Sequence, residues 1–187
     1  MNVYKKCPSF EDDRFLLRFV EPGDAEDLLK VYSDKKAVVL FNSDNCDGDD
    51  FYYTTLSRMK KAIDFWLWSY QQGDFVRWTI IDKADNSAVG TIEVFNRCAE
   101  DHFNNCGLIR LDMRSDYENS ETINRILSMI IADLYKLFGC DMLAVKAVPQ
   151  TRERIEALLQ LGFVKSKYLL IGSHDGKSYD DYYELIR

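Results

Sequence analysis

Leu108-Ile109-Arg110-Leu111-Asp112-Met113 reads as a strand, Arg114-Ser115-Asp116-Tyr117-Glu118-Asn119-Ser120 as a turn, and the residues after it as a long helix. In that helix Ile123, Ile126, Leu127, Ile130, Ile131, Leu134, Leu137 and Phe138 recur at three- and four-residue spacings, which makes one apolar stripe that Gly139 ends. A second strand, Met142–Val148, and a second helix, Arg152–Leu161, closed by Gly162 before Phe163, follow. Strand, amphipathic helix and apolar strand in succession predict a crossover with parallel strands. Sites in such sheets lie at the carboxyl ends of strands beside helix N-termini, so the turn Arg114–Ser120 is the first place to look for function.

The chain around this unit has 187 residues, 47% of them hydrophobic, which suits a single domain spanning 1–187 with a sizeable core. A formal net charge of -7 argues against nucleic acid and anionic membranes as partners, since both need a basic face. Five cysteines without a C-x-x-C pair, no signal peptide and no apolar run of membrane-spanning length predict a reduced, cytoplasmic setting.

Working towards the N-terminus, Ala88–Asn96 and Phe75–Asp82 read as two strands joined by Lys83-Ala84-Asp85-Asn86-Ser87. Before them lies a helix of about twenty residues in which Leu56, Met59, Ile63, Trp66, Leu67 and Tyr70 share a face and Gly73 is the stop. The first strand is Arg14–Val20, and Glu21-Pro22-Gly23-Asp24 leads into a helix over Ala25–Ser33. Towards the C-terminus, Val164–Ile171 and Ser178–Arg187 read as a final hairpin around Ser173–Lys177. The acidic run Ser43–Asp50 fails as a calcium loop: with Gly48 at the sixth position, Ser43 and Thr54 fall where acids are required, so no metal site is expected. His102 and His174 read as surface residues in polar loops, with no nucleophile placed beside either.

The joints of this order resemble those of the GNAT superfamily of N-acetyltransferases, in particular the branch that modifies ribosomal-protein N-termini or antibiotics. The residues that carry the resemblance are the opening Leu-Arg strand with Glu21-Pro22-Gly23-Asp24, Phe75-Val76-Arg77-Trp78-Thr79-Ile80 with Asp82-Lys83 and Val89-Gly90, and Leu158-Leu159-Gln160-Leu161-Gly162-Phe163. The ending Asp175-Gly176-Lys177-Ser178-Tyr179-Asp180-Asp181-Tyr182-Tyr183-Glu184-Leu185 belongs with them. The resemblance implies one α/β (α+β) domain, a mixed and mostly antiparallel sheet with a central parallel pair splayed apart, flanked by helices. It further implies acetyl-CoA as cosubstrate, lying between Leu108–Met113 and Met142–Val148, with backbone amides near Leu111 and Met113 holding its pantetheine and thioester carbonyl. A primary amine, on a small molecule or a peptide, would then attack the thioester directly.

The family's phosphate-cradling turn has the form Arg/Gln-x-x-Gly-x-Gly/Ala, and aligned here it spans Glu118, Asn119, Ser120, Glu121, Thr122 and Ile123. Asn119 and Glu121 stand where glycines are usual, and Glu118 where a cation is usual. Carboxylates beside a diphosphate oppose it by about 1 kcal/mol each, although Arg110, Arg114 or Arg125 could compensate. The same residues also make good helix-start chemistry, with Asn119 or Ser120 as N-cap and Glu121 in the first turn. A competing reading is therefore a non-catalytic module of this fold that has lost its diphosphate site.

An ammonium must lose a proton before it attacks, so a base is expected near the thioester. Glu93, alone among apolar residues in Thr91-Ile92-Glu93-Val94-Phe95, is the first candidate and Asp112 the second; each has an ordinary alternative as an arginine-paired residue. The tyrosine acid common in the family is replaced by Leu158, and two helix positions that tend to be Asn and Ser are Thr151 and Arg154. Thr151 keeps a hydroxyl for the pantetheine, whereas Arg154 reads as solvent- or phosphate-facing. Tyr52, Tyr53, Trp66, Trp68, Trp78 and Tyr182 could line a pocket, with Trp66 and Trp78 better read as core. An exposed apolar strip on the Tyr53–Tyr70 helix would favour a homodimer or another partner interface.

Overall fold

The computed structural model describes residues 2–187. Its main sheet follows from the strand chemistry: β1 (Phe10–Glu11), β2 (Phe15–Phe19), β3 (Val76–Asp82), β4 (Ser87–Arg97) and β5 (Cys106–Met113) pair antiparallel in succession. β6 (Met142–Lys146) joins β5 in parallel, followed outward by β10 (Tyr182–Ile186) and β7 (Val164–Lys165). β8 (Leu170–Ile171) and β9 (Ser178–Tyr179) form a separate two-stranded piece. The parallel register runs only from Cys106↔Met142 to Ile109↔Val145, so β5 beyond Ile109 has no strand partner on that side among the described residues and the pair is splayed.

One face carries α4 (Ser120–Ser128), α5 (Ile131–Phe138) and α6 (Arg152–Gln160), which bury Ile123, Ile126, Leu134, Ala157 and Leu158 on Trp78, Ile92, Ile109 and Leu111. The other carries α1 (Ala25–Tyr32), α2 (Lys35–Val38) and α3 (Leu56–Gln72), where Leu28, Val31 and Tyr32 meet Met59, Ile63 and Trp66. Under these helices the middle of the sheet is polar, because Arg77, Thr79, Thr91, Glu93 and Asp112 alternate with the apolar residues of the first face and are all buried. A layer so desolvated must satisfy its charges internally.

Local chemistry explains the helix ends. Thr55 Oγ1 accepts from the Arg58 amide at 3.2 Å to start α3, and Gly73 ends it at φ 84°, in the left-handed region. Thr55→Ala is expected to lower stability by about 1 kcal/mol, read as a shifted urea midpoint at unchanged m-value. No helix among the described residues is long and apolar enough to cross a membrane.

Three expectations are corrected. The long helix after the turn is two helices, α4 and α5: Ser128 Oγ turns back onto the Asn124 carbonyl at 2.6 Å, the amides of Met129 and Ile130 both settle on the Leu127 carbonyl, and Ile130 departs from helical geometry at φ -116°. The final hairpin is four short strands. After β7, the Ser166 amide donates to Tyr182 and Ser166 Oγ then accepts from the Tyr168 amide, turning the chain away, while Asp181 at φ 66° separates β9 from β10. His102 is not a free surface residue: it stacks on Tyr168 with centroids 3.9 Å apart and shares a 2.6 Å hydrogen bond with Glu184.

Candidate active site

The splay is built by alternation along β5. The Arg114 amide donates to the Val89 carbonyl on the β4 side, and Asn105 accepts from Asp141 on the β6 side. Residues two apart share a side, so Leu111 and Met113 aim their amides and carbonyls into the splay beyond the last paired residue, Ile109. That edge is open backbone with the spacing of a strand, ready to hold an extended chain carrying amides.

At the far end of the splay the α4 N-terminus supplies further donors. Thr122 N–H donates to Asn119 Oδ1 at 3.0 Å, so Asn119 is the N-cap. Ser120 N–H donates to Glu153 Oε2 at 2.8 Å, and Glu121 N–H has no acceptor among the described residues. Ile123, the last residue of the expected cradle, is wholly buried in the core and its amide is spent on the Asn119 carbonyl. Across from α4, Thr151 Oγ1 donates to the Val148 carbonyl at 2.6 Å, which turns the chain into α6.

Arg154 corrects an expectation. Instead of facing solvent or a phosphate, it is 1% exposed and holds Glu118 through Nε and Nη2 at 2.7 and 2.8 Å, with Nη1 on the Leu40 carbonyl at 3.2 Å. Glu118 is thus paired by the protein itself. The arginines placed to compensate for it are engaged as well: Arg114 with Asp116, Arg125 with Asp12 and Asp13, and Arg110 with Glu93.

On the polar face of the sheet, Glu93 is gripped by two guanidinium groups, Arg77 through Nη2 and Arg110 through Nη1 at 2.6 Å. Burial pushes its pKa up, but the two arginines outweigh burial and hold the carboxyl below its usual value. Stability that Glu93 contributes is therefore complete above its unfolded pKa of about 4.3 and is lost as pH falls through the depressed folded value. Acid titration followed by circular dichroism should show Glu93→Gln losing less stability than the parent between neutral pH and that range.

Asp112 differs although it lies close by. Its Oδ2 accepts from Tyr32 OH at 2.7 Å and from Arg77 Nη1 at 3.1 Å, while Oδ1 is buried with no partner among the described residues. Burial is the larger effect, Arg77 only partly opposes it, and the pKa of Asp112 is raised. Arg77 Nη1 also meets Tyr32 OH and Thr91 Oγ1, and its guanidinium lies 4.1 Å from the Trp66 ring centroid.

Beside this cluster opens a cavity of about 540 Å³. Arg77, Glu93 and Arg110 reach it from the sheet, Phe65 and Trp66 from α3, and Asp47, Asp49 and Phe51 from the loop before α3. Asp74, Phe75 and His174 complete the aromatic and acidic wall. Arg77 and Arg110 each keep a buried Nε without an acceptor among the described residues. Trp78 is wholly buried and Trp66 nearly so, while Phe65 and Trp68 are exposed on α3 and stack on each other. Tyr53 and Tyr182 are buried; Tyr182 donates to Asp44, which also binds Lys146. Cys46 lines the cavity too, but burial pushes its thiol up to about 11, so it is no nucleophile at neutral pH. Sequence reasoning missed Arg77 and Tyr32; the only local signal was one arginine in an otherwise apolar strand.

The model of the acetyltransferase (GNAT) domain matches residues 14–164, and the chain belongs to this family, which makes it an acyltransferase. No curated protein matches the sequence. Among solved structures, ribosomal-protein-S5-alanine acetyltransferase from Vibrio fischeri is similar at a TM-score of 0.70 with 16% identity, covering 96% of both chains. RimL, the ribosomal L7/L12 alpha-N-protein acetyltransferase in complex with coenzyme A, aligns at 0.70 with 13% identity over 96% of this chain and 98% of its own. The microcin C7 self-immunity acetyltransferase MccE, in complex with acetyl-CoA and AMP, aligns at 0.69 with 15% identity over 94% of each chain. At these identities the likeness is one of fold.

The chain fits acetyl-CoA where backbone makes the site: the open edge at Leu111 and Met113 suits the amides of a pantetheine arm, and the Glu121 amide is unspent at the α4 N-terminus.

Proposed function

We propose that the protein transfers an acetyl group from acetyl-CoA to a primary amine seated in the cavity beside Glu93, by direct attack and without a protein nucleophile. The observation that carries this reading is the coincidence, on one segment, of an open β5 edge at Leu111 and Met113 with a buried carboxylate, Asp112, whose Oδ1 has no partner among the described residues. Bound acetyl-CoA supplies the acetyl group as an activated thioester. The Leu111 and Met113 main chain would hold the pantetheine and thioester carbonyl, and the first turn of α4, with Ser120, Glu121 and Thr122, would face the diphosphate.

Asp47 and Asp74 attract the acceptor's ammonium, and Phe51, Phe65 and Phe75 shield its apolar part from water. The two candidate bases then separate by environment. Glu93, held ionised between Arg77 and Arg110, fixes the charges of the floor but is a weak base. Asp112, whose pKa burial raises, is the stronger base of the two. Thr151, already donating to Val148, can offer the pantetheine only its lone pairs. The competing non-catalytic reading rested on the acidic turn alone, and Glu118 is neutralised by Arg154.

Release of the coenzyme thiol, measured with acetyl-CoA against a panel of diamines, amino sugars and peptides with free N-termini, tests the proposal. Intersecting initial-rate lines with at least one amine are expected; parallel lines, or no amine-dependent thiol release, would overturn direct attack.

A further inference from the structure

The N-termini of α4 and α6 meet across the mouth of the splay, and a carboxylate of the protein already sits between them. Glu153, in the first turn of α6, leaves its own helix to accept from the first amide of α4, Ser120 N–H, at 2.8 Å. A carboxylate oxygen there occupies the position an anionic ligand oxygen takes at a helix start. Glu153 is exposed at the surface, whereas the neighbouring Glu118–Arg154 pair that ties the turn before α4 to α6 is buried at both ends. The first contact is therefore easily released and the second is not.

We propose that Glu153 is an internal stand-in for a phosphate, and that cosubstrate loading is an exchange in which a phosphate oxygen takes the Ser120 amide and Glu153 swings out. This rests on the acetyl-CoA reading above. Glu118–Arg154 stays closed during the exchange and holds the two helix starts at a fixed separation. Once Glu153 has left, the adjacent Ser120 and Glu121 amides are both free to donate, while Thr122 remains spent on Asn119. Arg152, exposed beside Glu153 and without a carboxylate partner among the described residues, adds a cation to the emptied mouth. The acidic residues of this region thus act as a removable plug, which weakens the coenzyme's hold and favours its release after transfer.

Calorimetric titration of coenzyme A and of S-acetylpantetheine, which has no diphosphate, into the parent protein, Glu153→Gln and Glu156→Gln tests the exchange. Glu156 is an exposed acid on the same helix, bonded to Gln160 and not to α4, so its variant removes an equal charge away from the Ser120 amide, whereas Glu153→Gln leaves that amide only a weaker, uncharged acceptor. Expected is coenzyme A binding about two- to fivefold tighter in Glu153→Gln, with no change for S-acetylpantetheine and none in Glu156→Gln. Equal tightening in both variants would reduce the effect to net charge and overturn the proposal, as would unchanged or weaker binding in Glu153→Gln. If coenzyme A binds all three proteins equally, the exchange alone falls. If neither ligand binds any of them, the acetyl-CoA reading falls and the exchange with it.

Discussion

Replacing Arg77 with leucine is expected to destabilise the protein by about 3–5 kcal/mol, the cost typical of breaking a buried pair from one side. Arg77 is 2% exposed and is the shared partner of Glu93, Asp112, Tyr32 and Thr91. Without it, Glu93 keeps only Arg110, Asp112 keeps only the Tyr32 hydroxyl, and the cation resting on Trp66 is gone. Set against a total stability of about 5–15 kcal/mol, a loss of this size should move the urea midpoint strongly at nearly constant m-value. The double variant Arg77→Leu, Glu93→Leu is expected to recover much of the loss, because removing both charges removes the uncompensated one. A loss below about 1 kcal/mol in the single variant, the scale of an exposed pair, would mean that water reaches the cluster and that the cavity floor is not the dry, charged surface described.

Asp112→Asn is expected to separate activity from stability. Loss of a positioned proton acceptor lowers kcat by about 10²–10⁴-fold, and the rise of rate with pH that reports Asp112 ionisation should vanish. Stability at neutral pH should hold. Because the folded pKa of Asp112 is raised, its ionisation favours unfolding as pH climbs through that value, and asparagine carries no such charge while still accepting from Tyr32 and Arg77. Glu93→Gln is the contrasting control, since Glu93 holds two arginines in place and its loss should appear first in KM and acid stability. Undiminished kcat in Asp112→Asn would remove it from proton transfer.

The elements of the fold were legible because each is announced locally. Gly73 and Gly139 close helices in the left-handed region, Thr55 opens one with its hydroxyl, and the two-residue alternation of β5 and apolar run of β6 flank a helical stripe that forces a crossover. The break at Met129–Ile130 escaped notice because the apolar stripe passes through it undisturbed; a serine hydroxyl bonding back one turn, not a change of pattern, makes it. Site legibility was more partial. Asn119 as N-cap could be read from residue type, but the partner of Glu118 lies 36 residues away and that of Asp112 on Tyr32 lies 80 away, beyond any local pattern.

The sequence by itself determined the main run of strands and helices, the parallel pair and the turn between them, since periodicity, caps and breakers act over a few residues. Only the tertiary structure decided what the acids do. It set Glu93 between two arginines, left Asp112 with an unpartnered oxygen, neutralised Glu118 with Arg154 and laid Glu153 on the Ser120 amide. A carboxylate's chemistry depends on burial and on the charges within a few ångströms of it, and those neighbours come from chain segments that meet only when the protein folds.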